Sequence, residues 1–194
     1  MRVNAPKFIV FLFCLFVFGS IWSHAVAQSQ AKVLVVYYSR TGHTQLVADK
    51  LAKKFGADVE QLIDQHKRTG LFGASSAGKD AVARNTTTID PIKHNPKDYD
   101  IILIGGPSWF GNVTPAVRTF IMQNDLSGKK IGLFGMCHLT GVEHAIQEAA
   151  DLILKGKNEK FPMMPLRERD LAEEALSKKI DSFYSEVMGE NGRE

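Results

Sequence analysis

Short apolar runs alternate with helix-period stretches from residue 32 almost to the end of the chain. Lys32–Tyr38 (KVLVVYY) is β-branched and aromatic and too short for a helix, so it reads as a buried strand. Gly42–Phe55 follows, with Val47, Leu51 and Phe55 four apart on one helical face. Ala57–Ile63 predicts a second strand, Asp100–Gly106 (DIILIGG) a third, Lys129–Met136 (KKIGLFGM) a fourth and Lys160–Met164 a weak fifth. Thr114 predicts a capped helix start, with Pro115 in the first turn where a missing N–H does no harm. Val142, Ala145, Ile146, Ala149, Ala150 and Ile153 form a stripe at helical spacing, and Leu176, Ile180, Phe183 and Val187 mark a last helix. Residues 64–98 break this rhythm. Gly70, Gly73, Gly78, Pro91 and Pro96 predict mostly loop there, with a short helix over Ala74–Arg84.

Strands that are apolar throughout, rather than on alternate positions, are covered on both faces. Joined by amphipathic helices, they predict a parallel sheet between two helical layers, an α/β three-layer sandwich of five βα units in one domain. In such sheets ligands sit outside the carboxyl ends of the strands. That rule selects three loops: 39–44, 106–112 and 137–141.

Composition changes the picture mainly at the start of the chain. Apolar residues make up 44% and charged residues 23%, a globular balance. Residues 1–27 differ. Arg2 and Lys7 precede an apolar run from Phe8 to Trp22, and Ala25-Val26-Ala27 offers small residues at a cleavage spacing, the three-part pattern of a secretory signal peptide. The run of about 15 residues falls short of the roughly 20 that span a bilayer, so an uncleaved membrane anchor is the rival reading. No Arg-Arg pair precedes it, and Phe13 is too bulky for a lipoprotein cleavage box before Cys14. The expected division is a signal peptide at 1–27 and one domain at 28–194, exported to the periplasm. Removing the signal takes two of the 24 basic residues and none of the 21 acidic ones, leaving a net charge near +1. Without a basic cluster interleaved with aromatics, nucleic acid is not an expected partner. Cys137 is then the single cysteine, so no internal disulfide can hold the fold.

The first selected loop, Ser39-Arg40-Thr41-Gly42-His43-Thr44, offers three hydroxyls and a glycine at the mouth of a helix. Free N–H groups and the helix dipole favour an anion there, and a phosphate monoester suits neutral donors. The spacing is neither that of a nucleoside-triphosphate loop nor of a dinucleotide turn. An ordinary Ser/Thr-capped turn is the plainer alternative. In the second loop, Pro107-Ser108-Trp109-Phe110-Gly111-Asn112, two aromatics bracketed by glycines make a platform for a planar ring, or else a plug packed on the 64–98 segment. The third loop, Cys137-His138-Leu139-Thr140-Gly141, ends a strand and opens a helix.

With those residues quoted, a resemblance becomes specific. Ser39-x-Thr41-Gly42-x-Thr44 after a first strand resembles the [ST]-x-T-G-x-T phosphate loop of the flavodoxin family. "VLVVYYSRTGHTQLVADKLAK" and "YDIILIGGPSWFGNVTPAVRTFI" are similar to that family at the expected separation, and the likeness runs over residues 32–185. It implies a five-stranded parallel sheet in order 2-1-3-4-5 with FMN as ligand. Ser39, Arg40, Thr41, Gly42, His43 and Thr44 would surround the phosphate. Pro107, Ser108, Trp109, Phe110, Gly111 and Asn112 would flank one side of the isoalloxazine, and Cys137, His138 and Gly141 its other side or pyrimidine edge.

The implied function is electron transfer through bound FMN to a redox partner protein. The family's electron carriers are acidic around the flavin, whereas 39–44, 105–112 and 137–142 hold no Asp or Glu. A less depressed potential for full reduction is therefore expected, with about 59 mV per 1.4 kcal/mol for each electron. The stretch SWFGN (Ser108–Asn112) also resembles the P-x-x-[FY]-G-N turn of the quinone-reductase branch, in which NAD(P)H reduces the flavin; it shares the glycine-asparagine pair but not the intervening residues, and an NAD(P)H-dependent reductase acting on a quinone is the alternative. An exported binding protein with a vestigial flavin site is the third. His43, His66, His94, His138 and His144 show no metal-ligand spacing, and no catalytic triad can be read from residue order.

Overall fold

The structure, a computed structural model, describes residues 31–66 and 78–190. The expected signal segment, residues 74–77 of the expected short helix and the last four residues lie outside them. The described strands are β1 (Val33–Tyr37), β2 (Asp58–Gln61), β3 (Ile101–Trp109), β4 (Asn112–Val113), β5 (Lys130–Cys137) and β6 (Met163–Arg167). The helices are α1 (His43–Phe55), α2 (Pro115–Gln123), α3 (Val142–Leu154) and α4 (Glu173–Met188). Residues 78–82 form a helical turn, and Glu168–Leu171 a 3₁₀ turn.

Five strands run parallel in the order β2-β1-β3-β5-β6, and β4 is a two-residue addition that pairs antiparallel with β3. Without that addition the order is the 2-1-3-4-5 implied by the resemblance. The reason lies in β1, where both sets of alternating side chains are apolar. Leu34 and Val36 join one core with Val117, Phe120 and Ile146 from α2 and α3. Val33 and Val35 join the other with Val47 and Leu51 of α1 and Ile180 and Phe183 of α4. A strand buried on both faces needs a helical layer on each side, and parallel strands need crossovers of that length to return.

Three strands differ from the periodicity, and the first of them, β2, ends at Gln61, two residues short of the expected Ile63. β3 continues past Gly106 to Trp109, because Gly106 and Pro107 still pair with Gly135 and Met136 of β5. The last strand occupies Met163–Arg167, three residues later than expected at either end, its register set by Leu133 to Cys137 of β5. Thr114 does precede α2, and Pro115 opens it, but the hydroxyl makes no capping bond. Its Oγ1 is buried without a hydrogen-bond partner and lines a cavity of about 20 Å³ behind Gly106.

Candidate functional site at the carboxyl edge of the sheet

The β1–α1 turn leaves its helix end open. Gly42 sits at the N-cap with φ 91°, and no side chain caps the helix. The Ser39 hydroxyl accepts from the Gly42 N–H at 3.1 Å, which tightens the turn before the helix starts. The first intrahelical bond runs from Leu46 N–H to the Gly42 carbonyl, so the N–H groups of His43, Thr44 and Gln45 precede the ladder. No acidic residue lies in this first turn. The Ser/Thr-capped alternative is thus absent, and a cradle of neutral donors stands at the positive end of α1.

The aromatic segment is a tight hairpin rather than a loop. Ser108 pairs with Val113 and Trp109 with Asn112, leaving Phe110 and Gly111 as a two-residue connection with φ of 50° and 78°. Positive φ at both central positions is the geometry that suits the twist of a two-residue hairpin, and it is strained for phenylalanine. The Asn112 amide donates to the Phe110 carbonyl at 2.7 Å and stiffens the turn. Trp109 and Phe110 consequently part company. Trp109 meets the Tyr38 ring edge-on at 5.7 Å. Phe110 is 79% exposed and lies against Gly78, where any larger side chain would overlap its ring. The two-aromatic platform is therefore one indole, and Phe110 is the part that packs on the 64–98 segment.

Three contacts tie this hairpin to the third loop. The Ser108 hydroxyl donates to the Gly141 carbonyl at 3.1 Å, and His144 Nδ1 lies 2.7 Å from the Gly111 carbonyl. Gly111 and Gly141 touch through their backbones; a Cβ on Gly141 would stand 2.8 Å from the Gly111 Cα. Behind the hairpin, Glu148 of α3 accepts from the Val113 N–H at 2.8 Å and from the Arg118 guanidinium at 2.7 Å. Arg84, from the irregular segment, reaches the same carboxylate at 3.1 Å.

One cavity of about 310 Å³ joins the selected loops. Arg40, Thr41, His43 and Thr44 line it from the first, Pro107, Ser108 and Trp109 from the hairpin, and Cys137 and His138 from the third. The remaining expected residues, Ser39, Gly42, Phe110, Gly111, Asn112 and Gly141, do not line it; apart from Phe110, they shape the turns that do. Burial pushes the Cys137 thiol up from its ordinary pKa, so it lines the site as a neutral group. Met136 and Glu168 were not anticipated, and Glu168 touches His138 across the cavity. The three loops hold no Asp or Glu, as read from the sequence, but Glu168 adds a carboxylate to the lining from outside them. Its signal was available: it follows the last parallel strand directly, but the predicted strand stopped at Met164 and hid that position. Among the described residues no cluster of His, Cys, Asp or Glu could hold a metal ion.

An open anion cradle beside a half-buried indole that lines the same cavity fits a phosphate-bearing planar ring. The sequence matches the profile described as Flavodoxin over residues 32–181. The chain belongs to the flavodoxin family. It is 30% identical over 125 residues to an NAD(P)H dehydrogenase (quinone) of Chromohalobacter salexigens, which covers 61% of each protein. This flavodoxin-family chain therefore spans about three fifths of that relative's length. A candidate flavoprotein from Bacteroides uniformis superposes with a TM-score of 0.62 at 22% identity, covering 78% of this chain and 98% of the other. A flavoprotein in complex with FMN from Lactobacillus acidophilus gives 0.57 at 19% identity, covering 79% and 99%. At those identities the likeness establishes the shared flavodoxin-like sandwich.

Proposed function

We propose that this flavodoxin-family protein binds FMN in the 310 Å³ cavity and acts as a redox protein through it. The observation that carries this reading is the meeting, in one cavity, of the uncapped α1 terminus and Trp109. The donors at 41–44, with the Arg40 guanidinium lining the same cavity, would hold the phosphate, Trp109 would face the ring, and the Ser108–Gly141 and His144–Gly111 bonds keep the two flanking loops at a set spacing. The flavin, when bound, supplies the electron chemistry, and the protein supplies binding and orientation. Titrating the flavin-free chain with FMN while following flavin fluorescence tests this. Saturable one-to-one quenching is expected; fluorescence that stays at the free-flavin level would refute it.

Two uses of the flavin remain as readings. Electron transfer to a partner protein follows from the family. Two-electron reduction of a quinone by NAD(P)H is favoured by the relative from Chromohalobacter salexigens and by the Pro107–Asn112 turn. NADPH consumption that requires both FMN and a quinone selects the second. We also infer export, on the three-part pattern of residues 1–27 alone. A protein recovered from the periplasm with its N-terminus near residue 28 supports that inference, and an intact Met1 in a membrane fraction opposes it. Among the described residues, no helix is long and apolar enough to cross a membrane.

A further inference from the structure

A second cavity, of about 420 Å³, opens beside the first and is lined by His138, Leu139, Arg167, Glu168 and Arg169. His138 and Glu168 line both spaces and touch each other, so the two cavities adjoin at that pair. Beyond the pair two guanidiniums, those of Arg167 and Arg169, join the lining beside Glu168, whereas the first cavity has the guanidinium of Arg40 among its hydroxyl donors. Arg167 ends β6, and its Nε and Nη2 are bound to the Leu139 carbonyl and to Glu143. These bonds hold the Leu139 turn against β6, while the Arg167 N–H, bonded to Asp170 at 2.8 Å, fixes the start of the 3₁₀ turn. Arg169 is exposed and has no hydrogen-bond or ion-pair partner among the described residues. Leu139 is 71% exposed in the same space, a large apolar side chain held where water would otherwise be its neighbour.

A fixed apolar contact beside an unpaired guanidinium suits an organic anion better than an inorganic one, because the body and the charge are each given a surface. We propose that this cavity is a binding site for a second, anionic small molecule, whose phosphate, carboxylate or sulfonate lies on Arg169 and whose apolar body lies on Leu139. The proposal rests on the FMN reading, since it gives the flavin site a neighbouring reactant. The same chemistry is carried by a phosphorylated nicotinamide nucleotide as electron donor and by an anionic quinone as acceptor.

The full chain is loaded with FMN and its FMN affinity measured. It is then titrated with NADP⁺, with anthraquinone-2-sulfonate and with inorganic pyrophosphate, by calorimetry at low salt. The measurements are repeated for Arg169→Glu and for Lys157→Glu, the same charge change three residues past the end of α3. At least one organic anion is expected to bind saturably. Arg169→Glu should weaken it by about five- to twentyfold, as expected for reversing a charge near the surface. FMN affinity and the Lys157→Glu protein should be unaffected. Binding of NADP⁺ alone identifies the site as the donor's, and binding of the sulfonate alone as the acceptor's. Absence of saturable binding, binding by pyrophosphate as tight as by either organic anion, or equal affinity in the Arg169→Glu protein overturns the proposal while leaving the FMN reading intact. A chain that takes up no FMN overturns both.

Discussion

At the scale of single residues, the site uses backbone and aromatic surface more than charge. Trp109 is the one large ring from the hairpin that faces the 310 Å³ cavity, because the strained turn sends Phe110 the other way. Trp109→Ala should weaken FMN binding by about 1–3 kcal/mol, the scale of an aromatic–base stack, and an unchanged dissociation constant would count against its role. Glu168 is the only carboxylate lining the cavity among the described residues. A negative charge disfavours the more negative reduced flavin, so Glu168→Gln should raise the two-electron midpoint of the bound flavin by about 20–60 mV, at roughly 30 mV per 1.4 kcal/mol for two electrons. The side chain is half exposed and touches His138, which holds the shift to that range. A midpoint that stays put or falls in spectroelectrochemical titration would show that the carboxylate does not act on the ring. Gly42 was legible as a position of special geometry. Phe110 was not, since nothing local marks a phenylalanine for positive φ.

Among elements, the informative unit is the β3–β4 hairpin and what clamps it. Glu148 connects the hairpin through Val113, α2 through Arg118 and the irregular segment through Arg84. The Arg118 and Glu148 side chains are 4% and 9% exposed. Removing one member of so buried a pair leaves the other charged and unpaired, so Glu148→Ala should destabilise the fold by about 3–5 kcal/mol in urea unfolding. FMN affinity should fall as well, because the turn bearing Trp109 loses its anchor. A loss below about 1 kcal/mol would mean that the carboxylate is not the clamp. These partners lie 30 to 64 residues apart in the chain, so no local pattern announces them. By contrast the βα alternation was readable, because each element's apolar period records which faces it buries. Strand ends were the weak point. Pairing with a neighbour, rather than composition, carries β3 through Gly-Gly-Pro-Ser and sets β6 three residues late.

For the whole molecule, two apolar cores lie on either side of the sheet, and one buried phenol at the sheet's edge couples the fold to pH. Tyr99 is buried and donates to Asp58 of β2 at 2.8 Å. Burial, and then the Asp58 carboxylate, push its phenol from 10.0 up to about 12. The folded chain holds this proton more tightly than the unfolded chain does. The contribution is therefore complete below pH 10 and is lost as pH rises toward about 12. Chemical denaturation across that window should show stability declining in the wild type and declining less in Tyr99→Phe. Equal slopes would show that another group, such as Tyr37, whose phenol burial also raises, governs the alkaline limb.

By itself the sequence determined the layered α/β fold, the order of its parallel strands through the family it resembles, and the three turns that surround the site. It could do so because burial on two faces and special backbone angles leave local marks. Only the tertiary structure decided which of the turn residues line the cavity, that Glu168 joins them, and that a second space lined by Arg167 and Arg169 adjoins at His138. Those facts depend on contacts between segments far apart in the chain, whose geometry follows from strand register and packing rather than from any neighbouring residue.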